Sequence, residues 1–226
     1  MIKRGDYVKF VRYPQNRGAV KDPIEWLTLE VNGYEALLIS RFSLDSRPYH
    51  HEHTDITWED CDLRKWLNHD FLKTAFSDEE RQRIRLSETV NDHNPKYGVC
   101  GGNNTRDRVF CLSIAEAERY FKNGRERRCR PAALAKAQGA ASGNEGYCWW
   151  WLRSPGCHER DASCVTPAQE FGMNASTAIN IFARAVVRQR RIPFEIVSSE
   201  SDVTREETMQ AFLALREQAK KMELQT

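Results

Sequence analysis

The chain lacks most of the signatures that name a function class. No apolar run approaches the ~20 residues that span a bilayer, so no membrane partner is expected. The opening residues, Met1-Ile2-Lys3-Arg4-Gly5-Asp6-Tyr7, have no apolar core of the signal-peptide kind. Neither charge is in surplus: 34 Lys+Arg against 32 Asp+Glu leave +2. A dedicated nucleic-acid binder carries a more basic footprint, so a nucleic-acid partner is not expected. The G-x-G-x-x-G and G-x-x-x-x-G-K-[ST] loops are missing, which excludes the common dinucleotide and P-loop phosphate sites. Regular strand–helix alternation is missing too, which argues against a doubly wound sheet. No nucleophile–base–orienter set can be picked out, which weighs against a hydrolase.

Cysteine, by contrast, is present seven times. An odd number without an export signal predicts reduced thiols and a cytoplasmic location. Hydrophobic residues at 40% and aromatics at 10% of 226 residues predict an ordinary folded protein. Half of the six tryptophans stand in one run, Trp149-Trp150-Trp151. On a strand, Trp149 and Trp151 would share one face and Trp150 the other. Bulky aromatics on both faces place such a strand at the centre of a fold.

Local signals outline the elements. Asp6 to Tyr13 predicts a strand. Ile24 to Val31 and Tyr34 to Phe42 flank Asn32-Gly33, which predicts a hairpin on a type I′ turn. Asp60 or Asp62 would cap a helix carrying Leu63, Trp66, Leu67 and Phe71. Ser77-Asp78-Glu79-Glu80, Ser113-Ile114-Ala115-Glu116 and Thr204-Arg205-Glu206-Glu207 predict capping boxes, each opening a helix. Asn91 to Arg106 predicts a long loop. Pro131 suits the first turn of a helix ending at Gly139. Residues 1–197 are expected to form one α+β domain. Residues 198–226 would add a hinge and an amphipathic helix, with Met209, Phe212, Leu213 and Met222 offering a surface for self-association.

Several segments, in order, resemble a bacterial family, the domain of unknown function numbered 6273. They are Ile24-Glu25-Trp26-Leu27, Ala36-Leu37-Leu38-Ile39-Ser40, Thr57-Trp58-Glu59 through Leu63-Arg64-Lys65-Trp66-Leu67-Asn68, Ala75-Phe76-Ser77, Val109-Phe110-Cys111-Leu112-Ser113 with Glu116, and Trp150-Trp151-Leu152-Arg153-Ser154-Pro155-Gly156. The family usually closes with Val-Arg-Pro-Ala, whereas Val187-Arg188 is followed here by Gln189-Arg190. The order of hairpin, helices, long loops, tryptophan strand and closing strand is similar to C-type lectin-like domains and to the related formylglycine-generating enzymes. That resemblance implies a compact α+β fold with short antiparallel sheets that presents loops to a ligand. The wider group includes hypervariable binders diversified by retroelements, which would suit a phage or bacterial recognition protein.

The candidate ligand-binding residues follow from that resemblance: Trp150, Arg153, His158 and Arg160 around one loop, and Asn174, Ser176, Thr177 and Asn180 on another. Arg153, leaving a buried strand, requires a partner, with Glu59 or Asp62 expected. Glu59 and Arg64 would form a local ion pair. Arg125, Arg127, Arg128 and Arg130, and again Arg184, Arg188, Arg190 and Arg191, form basic runs that read as solvated surface. His50, His51 and His53 are the candidates for a metal, although adjacent residues of an extended segment point apart. Cys157 and Cys164 would bind copper or iron if the chain were an oxidase of the formylglycine-generating type. The reading that emerges is a non-enzymatic module that binds a protein or a small molecule and needs no cofactor. An oxidase and a structural component of an oligomeric assembly are the alternatives.

Overall fold

The N-terminal hairpin forms where its sequence signals it, but its turn is displaced by one residue. Strand β1 (Tyr7–Tyr13) pairs antiparallel with β2 (Asp22–Asn32), and β2 with β3 (Glu35–Ser40). Asn32 pairs with Glu35, so Gly33 and Tyr34 form the turn. Gly33 has φ 59° and Tyr34 stays at negative φ, which is a type II′ arrangement with glycine in its first central position, not type I′. Within β1 the register shifts between Lys9 and Arg12. Val11, inside that bulge, is buried and held at φ 57°, a costly conformation for a β-branched residue.

In this computed structural model, residues 2–16, 18–140, 143, 145–165, 177–179, 182–186 and 195–197 are described. The chain divides into Met1–Ile196 and Val197–Thr226, and of the second unit only Val197 is among them. The expected hinge, the terminal capping box and the helix surface of Met209, Phe212, Leu213 and Met222 lie outside the described residues.

A six-stranded sheet runs β14 (Glu195–Val197), β1, β2, β3, β13 (Phe182–Val186), β8 (Val109–Phe110). A four-stranded sheet runs β11 (Ala162–Val165), β10 (Trp150–Pro155), β12 (Thr177–Ile179), β5 (Asp45–Arg47). Strand β10 with β12, and β4 (Phe42–Ser43) with β9 (Arg130–Pro131), pair in parallel. A last pair joins β6 (Ser87–Thr89) to β7 (Thr105–Asp107). Five short helices are described: α1 (Asp62–Trp66), α2 (Leu72–Ala75), α3 (Asp78–Arg83), α4 (Ile114–Tyr120) and α5 (Ala133–Ala137). Short helices and short, mostly antiparallel strands make this an α+β protein. Among the described residues no helix is long and apolar enough to cross a membrane.

The helix starts show which sequence signals were sufficient. Ser77 and Ser113 form complete capping boxes with Glu80 and Glu116. Helix α1 is capped by neither expected aspartate: the Cys61 sulfur accepts from the Arg64 amide at 3.4 Å. Asp62 is instead the first helical residue. A π-helical turn, Leu67–Phe71, carries α1 into α2 and keeps Leu67 and Phe71 buried. Pro131 lies in β9, and α5 starts two residues later and ends before Gly139 at φ 84°.

Every residue of β10 is buried, as an interior strand covered on both faces requires. Trp149 precedes the strand and is half-buried. Trp150 packs edge-on against Phe121 and donates to the Arg127 carbonyl at 3.1 Å. Trp151 packs on Tyr49 and donates to the Arg47 carbonyl at 2.9 Å. Trp26 and Trp58 are equally buried, with partners at the Phe10 carbonyl (2.7 Å) and Asp107 (3.0 Å). Each buried indole thus contributes about 1.5–3 kcal/mol of apolar burial without leaving an N–H unsatisfied.

Candidate functional site

The Trp-Glu…Leu-Arg-x-Trp-Leu-Asn segment builds a buried polar hub. Asp107, with no exposed surface, accepts from Arg64 Nε at 2.7 Å, Trp58 Nε1 at 3.0 Å, Thr105 at 2.6 Å, Thr89 at 3.0 Å and Asn68 at 3.3 Å. Arg64 therefore finds its carboxylate 43 residues away, not at the expected Glu59, whose backbone carbonyl alone accepts from it. Glu59 takes a hydrogen bond from Asn103 at 2.9 Å. Asn68 closes the hub by accepting from the Arg108 amide at 2.8 Å and donating to the Val109 carbonyl at 2.9 Å. Five donors on one carboxylate offset the cost of burying its charge. Trp66 is half-buried, with the Arg47 guanidinium 4.3 Å from its ring centre.

Arg153 is similarly enclosed. Its guanidinium pairs with Glu116, neither Glu59 nor Asp62, and donates to the carbonyls of Cys111 at 2.8 Å and Val90 at 3.0 Å. Glu116 thus serves two roles, completing the α4 capping box through the Ser113 amide and neutralising Arg153. The pair locks β10 to the start of α4, helped by Ser154 Oγ, which accepts from the Ile114 amide at 3.0 Å.

The open geometry lies just beyond the end of β10. Asn94, 4% exposed, donates to the carbonyls of Pro155 at 2.8 Å and Gly156 at 3.2 Å, while its Oδ1 accepts from the amides of Lys96 and Tyr97. One side chain therefore shapes the 94–99 turn and fastens it to the strand end. Gly101 permits the fold of the same long loop, because a Cβ there would sit 2.2 Å from the Asn91 carbonyl oxygen. Between the joined loops is a cavity of about 230 Å³, lined among others by Asn94, Tyr97, Ile114, Leu152, Ser163 and Glu118. Cys157 and Cys164 also line it. A larger, shallower cleft of about 580 Å³ lies between β1 and the α2–α3 segment, with Lys9, Arg12, Lys21, Lys73 and Arg83 at its walls.

The three histidines separate. His50 and His51 do not point apart: their rings are 4.6 Å from one another and both turn to Asp62. His50 Nδ1 is 2.9 Å from Asp62 Oδ2 but is not aligned for a hydrogen bond. Hydrogen bonding to Asp62 raises His51 above its ordinary 6.5. Burial raises the Asp62 carboxyl, but its contacts with His51 and His50 outweigh that and hold it below the ordinary carboxylate range. His53 turns instead toward Asp161, with Nε2 3.5 Å from Oδ1. The other Asp161 oxygen is 2.9 Å from His158 Nδ1 and 3.5 Å from the Cys157 sulfur. Burial raises Asp161 too, and His158, Cys157 and His53 together bring it below the ordinary range.

The ligand-binding expectations divide accordingly. Trp150 and Arg153 are buried and hydrogen-bonded within the core, with Arg153 Nε alone of its guanidinium nitrogens lacking a partner among the described residues. His158 and Arg160 are exposed on the 156–161 loop. Thr177 lies in β12, paired with Arg47 through the backbone. Asn174, Ser176 and Asn180 lie outside the described residues. Among the arginines, Arg128 pairs with Glu145 at 2.8 Å, and Arg128 and Arg130 both sit 5.0 Å from the Tyr147 ring centre. Asn94 and Asp161, the residues that organise the cavity rim, were not singled out by sequence. The polar Asn-rich stretch at 91–104 was the available signal for the first.

These elements define an α+β domain with a loop-lined cavity. A family model described as a domain of unknown function (DUF6273) matches residues 34–188, well over half of the chain, and the chain belongs to that family. No curated protein and no solved structure matches it.

Proposed function

We propose that the protein is a non-enzymatic binding module with a C-type lectin-like scaffold, and that it takes its ligand between residues 94–97 and 156–164. The observation that carries this reading is the Asn94 side chain, which fastens two loops around a cavity at the end of the fully buried strand β10. Two sheets with loops gathered at one strand end suit a lectin-like scaffold. At about 230 Å³ the cavity is below the ~300–1,000 Å³ of drug-sized pockets, so it fits one small group. A sugar ring or a single side chain of a protein partner is of that size. Ser163 and Glu118 supply polar contacts, and Ile114 and Leu152 an apolar floor. The cytoplasmic setting expected from the thiols belongs to the same reading.

The test is a thermal-shift screen of monosaccharides, disaccharides, amino acids and short peptides, with each hit titrated against Tyr97→Ala. Tyr97 is half-exposed at the rim and supports its turn through the backbone amide, so the truncation leaves the fold intact. A loss of about tenfold in affinity, ~1.4 kcal/mol, supports the reading. Hits that bind the variant with unchanged affinity overturn it.

One observation favours a metal-dependent oxidase of the formylglycine-generating type: Cys157 and Cys164 line the same cavity. Burial, however, pushes the Cys164 thiol up to about 11, and the neighbours of Cys157 are His158 and Asp161. Copper binding lost in both Cys157→Ala and Cys164→Ala would establish this second reading.

A further inference from the structure

The 156–161 loop is closed on itself and tied to a second segment. The Gly156 amide donates to the Asp161 carbonyl at 2.6 Å, and the Asp161 amide to the His158 carbonyl at 3.0 Å. Gly156 is required for this closure, since a Cβ there would meet the Asp161 Cβ at 2.8 Å. The Ile56 amide donates to the Glu159 carbonyl at 3.1 Å, which brings the histidine segment alongside. Three ligand-type atoms converge on the loop. Cys157 Sγ is 3.2 Å from His158 Nδ1 and 3.5 Å from Asp161 Oδ2, and these last two are 2.9 Å apart.

An ordinary ion pair between His158 and Asp161 accounts for only part of this arrangement. His158 Nδ1 carries at most one proton and cannot donate to both sulfur and carboxylate. The Cys157 thiol directs its own proton at the same Asp161 oxygen, so a single carboxylate oxygen gathers both neighbours. A single cation at the centre satisfies all three atoms. Ligands of a tetrahedral zinc ion stand ~3.4–3.6 Å apart, given Zn–S and Zn–N/O bonds of about 2.3 and 2.1 Å. The observed triangle needs to open by only about half an ångström to match those spacings.

We propose that Cys157, His158 and Asp161 bind one divalent transition-metal ion of the zinc type, with His53 as a positioning residue. Thiolate and imidazole select a borderline-soft metal over calcium or magnesium. His53 approaches the Asp161 oxygen that faces away from the other two, as outer partners of ligating carboxylates do. Three protein ligands leave a fourth position for water or a donor atom, the arrangement of sites that do more than hold the fold. Because Cys157 also lines the cavity, the ion sits at its rim. The site stands independently of whether the cavity takes a small ligand.

The test is titration of the metal-stripped full chain with cobalt(II), followed by displacement with zinc(II). The expected result is one equivalent bound, with thiolate-to-cobalt charge transfer and the visible absorption of a tetrahedral ion. Cys157→Ser removes the charge-transfer band, and His158→Ala and Asp161→Asn weaken binding at least tenfold. His53→Ala weakens it by about 10–100-fold while the tetrahedral spectrum is kept. Cys164→Ala and His51→Ala change nothing, and circular dichroism checks that each variant is folded. The site is overturned by a six-coordinate spectrum without a thiolate band. It is equally overturned if the band survives Cys157→Ser, or disappears in Cys164→Ala or His51→Ala.

Discussion

Asn94 Nδ2 donates to the Pro155 carbonyl at 2.8 Å, and through that bond a loop 61 residues earlier in the chain is anchored to the tryptophan strand. Asn94→Ala takes this partner from the Gly156 carbonyl and the Lys96 and Tyr97 amides, while the Pro155 carbonyl keeps the Ser163 hydroxyl at 2.6 Å. The expected loss is about 1–3 kcal/mol, the cost of leaving buried polar groups unsatisfied. Denaturant unfolding measures the loss, and amide exchange of residues 95–99 should rise more than that of β10.

The Asp107 hub carries a larger share of stability. Asp107→Ala removes the carboxylate that pairs with Arg64 and takes the acceptor from Trp58 Nε1, while Asn68, Thr89 and Thr105 each lose one of several partners. It should cost ~3–5 kcal/mol, as for other broken buried pairs. Asp107→Asn keeps the shape and some acceptor capacity, and should lie between wild type and alanine on the same denaturation curve. An Asp107→Ala protein as stable as wild type would remove the hub from the account.

Near Asp62 the prediction concerns pH. Asp62 is depressed in the folded state, so its contribution is present above the ordinary 3.8 and fades as pH falls through the folded value. His51 is raised, so its contribution is present below 6.5 and fades as pH rises through its folded value. The contact is therefore strongest between those ordinary values and weakens on both sides. NMR titration should find His51 above 6.5, and Asp62→Asn should return it toward that value.

The thiols should react in an order set by burial. Cys100 is exposed and Cys157 half-buried, while Cys61, Cys111, Cys129, Cys148 and Cys164 are buried. Burial pushes Cys61 up to about 12 and raises Cys111 as well, which suppresses the reactive thiolate. Mass spectrometry after native alkylation should find Cys100 modified first, Cys157 next, and the five others only after unfolding.

Local rules made part of this fold legible. Ser77 and Ser113 opened helices because a capping box needs only four consecutive residues. The hairpin was equally local, yet Asn32-Gly33 and Gly33-Tyr34 each supply a glycine for positive φ, and cross-strand pairing chose between them. The same limit applies to Arg64 and Arg153. Each was expected to need a carboxylate, but Asp107 and Glu116 lie 43 and 37 residues away, where only tertiary packing places them. His50 and His51 departed from strand alternation because Asp62, at the start of α1, attracts both. The 156–161 loop showed its cysteine and histidine in the sequence. The approach of His53 to Asp161 depends on a backbone hydrogen bond between segments about a hundred residues apart, which no spacing encodes.

The junction of residues 94–97 and 156–164 is the proposed binding face. Backbone amide shift mapping of the isotope-labelled chain with the screened sugars, amino acids and peptides tests it most directly. Shifts on binding should cluster at Asn94, Lys96, Tyr97 and Gly156 to Cys164. Shifts clustered instead on the basic cleft, at Lys9 to Arg12 and Lys73 to Arg83, would contradict it.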